Sequence, residues 1–196
     1  MSDVPSIKSY QGYIFDLDGT IYLGEYLLPG ARELIEGLRR QKKKVIFLSN
    51  NPTKTPQMYA DKLTGLGIPT QPQEVVNTLA AMVLWLKENA RGKTIYAIAE
   101  QPLIDAVREA GFKYSENPEE IDIVIASYDR EFTWKKFQIA FDALWYHKRA
   151  VLVATNPDQF CPLPGGRGEV DTGAVIAALE SCTGVKCEVN VGKPNK

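Results

Sequence analysis

An apolar run that ends in two carboxylates is the feature that most constrains how this chain can fold. The segment Tyr13–Phe15 leads into Asp16 and Asp18, and Gly19 follows directly. A short apolar run bounded by a glycine is typical of a buried strand that ends in a turn. Because side chains alternate along a strand, Asp16 and Asp18 are expected to project the same way at its end. Two neighbouring carboxylates are costly unless a metal ion or a proton neutralises them, so the pair indicates a functional site.

Composition and charge exclude several classes of function. The chain has 196 residues and a formal net charge of -1, so it lacks the broad basic field that recruits nucleic acid or an anionic membrane. It contains no apolar run of transmembrane length and no signal-peptide pattern in residues 1–12. Its three cysteines lack metal-site spacing and fit a reduced protein. We therefore predict a cytoplasmic protein without a nucleic-acid or membrane partner, and homo-oligomerisation stays open.

Short apolar runs alternate with longer amphipathic stretches, which predicts an α/β fold with parallel sheets. The strands predicted after the first are Val45–Leu48, Val75–Thr78, Thr94–Ala99, Ile121–Ala126, Val151–Thr155 and Cys187–Val191. The helices predicted between them include Gln57–Leu66, Leu79–Asn89, Pro102–Ala110, Thr133–Lys148 and Thr172–Cys182. A Pro/Gly-rich loop is predicted at Asn156–Gly168. The pattern restarts near Leu79, which indicates a division of the chain at that point.

Two further polar motifs follow predicted strands. The segment 49–51, Ser-Asn-Asn, follows the strand that begins at Val45, and Lys193, in Gly-Lys-Pro, follows the last predicted strand. Side chains at the carboxyl ends of strands in an α/β sheet face the crevice where ligands bind. We therefore expect these two motifs to form one site with the two carboxylates.

These residue types suit phosphoryl transfer, which needs an in-line nucleophile, positive groups around the phosphoryl oxygens and a proton source for the leaving group. Asp16 can attack phosphorus and form an aspartyl-phosphate. Asp18 can protonate the leaving oxygen and later take a proton from water. The Ser49 hydroxyl and the amides after it supply hydrogen-bond donors, and Lys193 supplies a positive charge. A magnesium ion (Mg2+) suits such an oxygen-rich site.

Each motif also has an explanation from local structure alone. Asp16 and Asp18 can be turn residues before a glycine. The segment 49–51 can form the N-cap of a helix that begins near Pro52. Lys193 can be a solvated lysine near the end of the chain.

The three motifs, in this order and each after an apolar run, resemble those of the haloacid dehalogenase superfamily. The resemblance is to the branch of NagD-like, p-nitrophenyl phosphatase and pyridoxal phosphatase-like enzymes, and it runs from Tyr13 to the last residue. It implies a Rossmann-like parallel-sheet core with an inserted α/β cap domain. The core would comprise residues 1–78 and 186–196, and the cap would comprise residues 79–185.

The resemblance also implies a role for each motif residue. Asp16 matches the nucleophile of the family and Asp18 matches its acid/base. The family's Mg2+ is held by the first carboxylate, by the backbone carbonyl of the second aspartate and by an acidic residue of a later motif. The positions that would bind phosphate and substrate are Gly19, Thr20, Ser49, Asn50, Asn51 and Lys193.

Three residues of the predicted cap are candidate contacts to substrate. Asn156 and Asp158 follow a cap strand, although both are also common turn formers. In the pyridoxal phosphatase-like branch, a histidine of this cap loop touches substrate, and the matching position here is Cys161. The cysteine argues against a preference for pyridoxal phosphate.

The end of the chain is a second departure from the family pattern. The sequence ends three residues after Lys193, whereas in the family a helix and a strand follow, and that strand carries the remaining acidic magnesium ligand. We therefore expect the chain to be a fragment of a longer protein, with a core truncated at its C-terminal end. Otherwise its metal site is incomplete.

The resulting hypothesis is a magnesium-dependent phosphatase that hydrolyses small phosphate monoesters through an aspartyl-phosphate. Two alternatives remain. One is a module that binds phosphate esters without turnover because the last metal-ligand motif is absent. The other is a phosphotransferase that passes the phosphoryl group to an alcohol.

Overall fold

A computed structural model describes residues 10–195. Residues 1–9 and residue 196 belong to the predicted core domain and lie outside the described residues. Most of residues 1–12, in which no signal peptide is expected, lies outside them as well. The described part of the chain divides into two compact units. The first comprises residues 10–49 and 56–76, and the second comprises residues 50–55 and 77–195. None of the described helices is long and apolar enough to cross a membrane.

Strands and helices alternate along both units, and the predicted α/β class is confirmed. The strands are Gly12–Asp16 (β1), Tyr22–Leu23 (β2), Tyr26–Leu27 (β3), Lys44–Ser49 (β4), Val75–Asn77 (β5), Thr94–Ile98 (β6), Lys113–Tyr114 (β7), Ile123–Ala126 (β8), Val151–Ala154 (β9), Phe160–Pro162 (β10), Gly168–Val170 (β11) and Cys187–Asn190 (β12). The α-helices are Ala31–Arg40 (α1), Pro56–Gly65 (α2), Thr78–Asn89 (α3), Gln101–Glu109 (α4), Trp134–Phe141 (α5) and Thr172–Thr183 (α6).

The first unit is built on a three-stranded sheet with the order β1-β4-β5. Helix α1 begins after Gly30 and buries Ile35 and Leu38, which lie on one face because helical residues three apart are neighbours. These side chains pack in one cluster with Phe47 of β4 and Leu63 of α2. The amphipathic pattern of α1 therefore positions the helix against the sheet.

The second unit is a three-layer structure around a five-stranded parallel sheet with the order β12-β9-β8-β6-β7. Alternate residues of β6 join different apolar clusters: Ile95 packs with residues of α3 and α4, and Tyr96 packs with residues of α5 and α6. Helices on both faces leave the central strands without a solvent-exposed side, so all residues of β6 and β8 are buried.

The prediction that the first strand is buried is wrong. In β1 the residues Gly12, Ile14 and Asp16 are exposed, and Ile14 is 69% exposed. Among the described residues, β1 pairs with β4 only, at the edge of the order β1-β4-β5. An apolar run does not by itself reveal whether a strand has neighbours on both sides.

The domain boundary predicted at residue 186 groups the last predicted strand with β1 and β4. The structure instead pairs this strand with the five-stranded sheet of the second unit. Strand β12 pairs in parallel with β9 in the five-stranded sheet, and Asn190 lies opposite Ala154. The motif that contains Lys193 therefore follows a strand of the second unit. The assignment of the segments as catalytic core and cap stays a prediction.

Other differences concern short elements. The predicted loop at 156–168 contains β10, which pairs antiparallel with β11. The helix predicted at 133–148 ends its α-helical part at Phe141 and continues as a π-helical turn, Asp142–Tyr146. Strands β2, β3 and β7 have two residues each, and apolar patterns that short do not separate strands from turns.

Candidate active site

The first unit brings two of the predicted motifs to one edge of its sheet. Strands β1 and β4 run parallel with Asp16 opposite Leu48, so Ser49 follows at the same edge. Asp16 is exposed, whereas Ser49 is 2% exposed. A carboxylate and a hydroxyl thus lie at the carboxyl end of adjacent parallel strands, where α/β proteins bind their ligands.

A tight turn holds the second carboxylate. The carbonyl oxygen of Leu17 accepts hydrogen bonds from the amides of Thr20, Ile21 and Tyr22 at 3.2, 2.9 and 3.3 Å. Gly19 has a φ of 79°, a conformation that glycine adopts at low cost, and its amide donates to the Tyr22 carbonyl at 2.8 Å.

Burial of one side of this turn leaves the other side available. Leu17, Ile21 and Tyr22 are at most 1% exposed and belong to the apolar core of the first unit. Asp18 is half-buried, and Gly19 and Thr20 are exposed. Asp16, Leu17 and Asp18 therefore alternate between exposed, buried and half-buried positions, as expected for two carboxylates that project to one side.

The loop 50–55 after β4 is held by side-chain hydrogen bonds inside the second unit. The Asn51 Oδ1 accepts from the amide of Thr53 at 3.0 Å and from its hydroxyl at 2.7 Å. The Thr78 hydroxyl donates to the carbonyl of Asn50 at 2.7 Å. Helix α2 begins only at Pro56, so Asn51 stabilises the loop and does not cap that helix. A contact from Asn51 to phosphate stays a prediction.

Asn50 connects two residues that are distant in the sequence. Its Oδ1 accepts from the amide of Lys193 at 2.8 Å, and its Nδ2 donates to the carbonyl of Lys193 at 3.2 Å. The same Nδ2 donates to the Asp158 Oδ2 at 2.9 Å. The structure thus joins the predicted second and third motifs with a residue that the sequence offered as a cap contact.

Asn156 is the centre of a buried polar network at the end of β9. It is fully buried, and its Oδ1 accepts from the hydroxyls of Thr155 at 2.8 Å and Thr172 at 2.7 Å. Its Nδ2 donates to the Asp171 Oδ1 at 3.0 Å and lies 3.4 Å from the Asp158 Oδ2. These contacts use both acceptor and both donor positions of the amide, which fixes its orientation.

Asp171 is an acidic group inside this network. It is 5% exposed, and its Oδ1 accepts from the Thr172 amide at the start of α6. Burial raises the pKa of Asp171 above its usual value. Hydrogen bonds from Asn156 and Thr172 lower the pKa in part, and the nearby charge of Asp158 raises it. The folded state therefore holds this carboxylate at some cost.

Two glycines allow chain segments to approach the end of β9. A Cβ on Gly192 would lie 2.7 Å from the carbonyl oxygen of Thr155 and 2.9 Å from the Cα of Asn156. A Cβ on Gly173 would lie 2.8 Å from the carbonyl oxygen of Pro157. Only a residue without a side chain fits these distances, so Gly192 lets Lys193 follow directly beside Asn156.

The predicted site residues thus fall into two sets. The first unit contains Asp16, Asp18, Gly19, Thr20 and Ser49, and the second contains Asn50, Asn51, Asn156, Asp158, Cys161 and Lys193. Hydrogen bonds connect Asn50, Asn156, Asp158 and Lys193. Cys161 lies opposite Glu169 in the pair formed by β10 and β11, and its contact to substrate stays a prediction.

Sequence reasoning missed Asp171, Thr172 and Gly192 as parts of this arrangement. An aspartate followed by the start of a predicted helix is an N-cap pattern, and Asp171 before Thr172 could have been recognised as one. No sequence pattern signals the need for glycine at position 192. That need arises because the chain at Gly192 packs against the end of β9, and the sequence does not show that these two segments are neighbours.

Comparison with known proteins identifies the family. The sequence profile of haloacid dehalogenase-like hydrolases matches residues 13–113, just over half of the chain. The chain belongs to this family. Sugar-phosphatase AraL of Bacillus subtilis is 35% identical over 184 residues, which cover 94% of this chain and 66% of AraL. An acid sugar phosphatase of Staphylococcus aureus is 33% identical over 193 residues, which cover 96% of this chain and 71% of that protein.

Solved structures extend the likeness to the fold. The 4-nitrophenylphosphatase of Thermotoga maritima has a TM-score of 0.86 at 30% identity, covering 94% of this chain and 69% of that one. NagD of Escherichia coli has a TM-score of 0.78 at 27% identity, covering 94% and 70%. The fold is that of the haloacid dehalogenase-like phosphatases, and the predicted family and branch are confirmed. This chain spans about two thirds of the length of these relatives.

Phosphatases of the haloacid dehalogenase-like family typically use a divalent metal ion, so the donor set of this chain can be compared with that need. Asp16 and Asp18 offer hard oxygen donors of the kind that Mg2+ prefers. Within residues 10–195, however, no three His, Cys, Asp or Glu side chains form a group that could hold a metal. The described residues therefore fit part of a metal site and do not complete one.

Proposed function

We propose that this chain carries the reactive residues of a phosphatase that hydrolyses small phosphate monoesters through an aspartyl-phosphate. The observation that carries the proposal is the exposed Asp16 carboxylate at the end of β1, in register with the end of β4, where Ser49 lies. Family membership supports the same chemistry, because the relatives are named phosphatases.

The first step uses both carboxylates. An oxygen of Asp16 attacks phosphorus, and the bond between phosphorus and the leaving oxygen breaks. Asp18 donates a proton to that oxygen, which leaves as an alcohol. In the second step Asp18 takes a proton from a water molecule that attacks the aspartyl-phosphate, and Asp16 is released with inorganic phosphate. The two carboxylates are thereby returned to their starting protonation states.

Phosphate binding is assigned to the residues of the three motifs. The Ser49 hydroxyl donates a hydrogen bond to a phosphoryl oxygen, and Lys193 contributes a positive charge. The other proposed positions are Gly19, Thr20, Asn50 and Asn51. The exposure of Gly19 and Thr20 supports this assignment, because it leaves the turn that follows β1 accessible to a phosphate ester.

Mg2+ is the proposed cofactor, and Asp16 and Asp18 would hold it. A bound Mg2+ neutralises negative charge on phosphate and carboxylates. The described residues do not supply a third acidic ligand in the same group. The proposed roles of Asp16 as nucleophile and of Asp18 as acid/base therefore rest on the positions of these two residues and not on a bound metal ion.

The proposed substrates are small phosphorylated sugars and comparable monoesters. The named activities of AraL and of the staphylococcal relative support this class, and a nitrophenyl ester serves as a convenient model substrate, as the name of the Thermotoga relative indicates. Substrate contacts from Asn156, Asp158 and Cys161, a cytoplasmic location and any homo-oligomer remain predictions.

Hydrolysis of p-nitrophenyl phosphate tests the proposal. We expect the full-length protein to release phosphate in the presence of Mg2+ and to stop when the metal is chelated. Asp16→Asn should lower the rate on the order of 10^4-fold or more, as removal of a covalent nucleophile does. Asp61→Asn, at an exposed position of α2, is the matched control. An Asp16→Asn variant with the wild-type rate would exclude the aspartyl-phosphate.

A module that binds phosphate esters without turnover is the second candidate function. The lack of a three-residue acidic group within residues 10–195 favours it. Titration calorimetry with inorganic phosphate distinguishes the two functions: binding without any hydrolysis by the same preparation would favour the module, and metal-dependent hydrolysis would exclude it.

A further inference from the structure

Asp158 has contacts that its position in a loop after β9 does not require. It is half-buried, and its side chain accepts a hydrogen bond from Asn50, which lies 108 positions earlier in the sequence. A turn former bonds to its own neighbouring backbone. The long-range contact from Asp158 to Asn50 therefore calls for another explanation.

Asn50 holds the main chain of Lys193 at two points. It accepts from the amide of Lys193 at 2.8 Å and donates to its carbonyl at 3.2 Å. A single side chain that binds both backbone groups of one residue restricts the backbone dihedrals of that residue. The direction in which the Lys193 side chain leaves the backbone is restricted with them.

Asp158 and the two backbone groups of Lys193 favour the same orientation of the Asn50 amide. A carboxylate can only accept a hydrogen bond and a backbone N–H can only donate one. Asp158 therefore requires the Nδ2 of Asn50 on its side, and the amide of Lys193 requires the Oδ1 on the other. A flipped Asn50 would place its oxygen against the Asp158 carboxylate and its NH2 group against the Lys193 N–H.

Asp158 is itself firmly held. Its carbonyl oxygen accepts from the Gly173 amide at 2.8 Å in the first turn of α6. Its carboxylate lies 3.4 Å from the Nδ2 of the fully buried Asn156. Because Gly173 lies in the first turn of helix α6 and Asn156 is fully buried, Asp158 is held at both its backbone and its side chain.

We propose that Asp158 is a positioning residue that fixes the Lys193 main chain through Asn50. The role of Lys193 in binding phosphate rests on the proposed function, whereas the connection from Asp158 through Asn50 to Lys193 stands on the hydrogen bonds alone. Asp158 does not touch the phosphoryl group in this scheme. It acts by adding a charged acceptor that stabilises the orientation of Asn50 required by the Lys193 backbone.

Two measurements on the 196-residue chain test the role. The first is the rate of hydrogen exchange at the Lys193 amide, which reports its bond to Asn50 without requiring activity. The second is the affinity for inorganic phosphate. Asp158→Ala should accelerate exchange at Lys193 and weaken phosphate binding, each about tenfold or more, as expected for loss of a hydrogen bond to a charged group.

Conservative variants separate positioning from a purely structural effect. Asp158→Asn keeps an acceptor oxygen and should fall between the wild type and Asp158→Ala in both measurements. Asn50→Asp keeps an acceptor for the Lys193 amide but places two carboxylates together, and their repulsion should weaken both properties. The double variant Asn50→Asp/Asp158→Asn restores one donor and one acceptor, so it should exceed the Asn50→Asp variant in exchange protection. Asp105→Asn, an exposed aspartate of α4 in the same unit, is the control.

Two outcomes would overturn the role. One is exchange at Lys193 in Asp158→Ala that equals exchange in Asp105→Asn. The other is a double variant no better protected than Asn50→Asp alone. If Asp158→Ala does not fold, as judged by far-ultraviolet circular dichroism, the comparison between Asn50→Asp and the double variant decides. A wild-type chain that neither binds phosphate nor hydrolyses esters would contradict the proposed function, while exchange at Lys193 would still decide the role of Asp158.

Discussion

The carboxyl edges of the two sheets place their polar residues in opposite environments. At the edge of the first sheet, Asp16 is exposed and Asp18 is half-buried on a turn held by backbone hydrogen bonds. At the edge of the second sheet, Thr155 and Asn156 are fully buried and bound by other side chains. Both edges end parallel strands, but the carboxylates of the first edge are exposed or half-buried, whereas the residues directly after β9 are buried.

The difference separates residues that react from residues that position. A nucleophile and an acid/base must be reached by an ester and by water, so exposure is compatible with their task. A side chain that orients another residue works best in a buried site, because hydrogen bonds are stronger where the dielectric constant is low. We therefore expect substitutions at the first edge to change turnover and substitutions at the second to change stability and phosphate affinity.

After Asp16→Asn, the next largest effect is expected at the first edge, from Asp18→Asn. Loss of the proton donor should lower turnover of a sugar phosphate about 10^2- to 10^4-fold, the usual contribution of general acid catalysis. The loss should be smaller with p-nitrophenyl phosphate, because nitrophenolate leaves readily without a proton. Steady-state rates with both substrates measure the difference.

Stability is the control for this prediction. Asp18→Asn should unfold at nearly the wild-type urea concentration, since Asp18 is not part of the buried side-chain network of the second unit. An equal loss of rate with both substrates would contradict the assignment of Asp18 as the acid for the leaving group.

A smaller effect, on stability, is expected at the second edge from Gly192→Ala. The new methyl group would lie 2.7 Å from the Thr155 carbonyl oxygen, and relief of that contact must shift the backbone next to Lys193. Overpacking of this kind costs about 1–3 kcal/mol. Urea unfolding monitored by circular dichroism measures the cost, and calorimetry with inorganic phosphate measures the effect on binding.

Gly65→Ala is the matched control for Gly192→Ala. A Cβ at Gly65 meets no atom within 4 Å, and Gly65 ends helix α2, where alanine is the better helix former by up to about 1 kcal/mol. It should therefore leave stability unchanged or raise it. A Gly192→Ala variant as stable as Gly65→Ala would mean that the backbone at the end of β9 shifts at little cost in free energy. The second edge would then not be the rigid, buried site that the comparison assumes.

The parts of the fold that follow from local patterns were predictable. The amphipathic stretch Thr172–Cys182 indicated α6, and the apolar run Val151–Thr155 indicated β9. The alternation of these patterns was sufficient for the α/β class. The carboxylates at Asp16 and Asp18, together with their order relative to Lys193, were sufficient for the family.

The features that depend on partners distant in the sequence were not predictable. Nothing in Tyr13–Phe15 shows that β1 lies at a sheet edge with Ile14 exposed. The pairing of β12 with β9 is a tertiary choice that the apolar run Cys187–Val191 does not encode. The contact between Asn50 and Asp158 likewise arises only after the second unit folds, so the sequence could offer Asp158 only as a candidate.

The smallest expected effect tests the cost of burying a carboxylate at the second edge. Burial raises the pKa of Asp171 above its ordinary value of 3.8, so the folded state binds the proton more tightly than the unfolded state. At neutral pH the ionised group therefore lowers stability, and this cost disappears as the pH falls through the native pKa toward 3.8.

Asp171→Asn keeps an acceptor for the Thr172 amide and removes the charge. It should raise the free energy of unfolding at pH 7 by at most about 1 kcal/mol, and the gain over the wild type should vanish as the pH falls to 3.8. Urea unfolding of both proteins between pH 4 and pH 7 measures the difference. A variant that is less stable than the wild type throughout this range would show that the Asp171 charge supports the buried network, and burial of this carboxylate would then not be a cost.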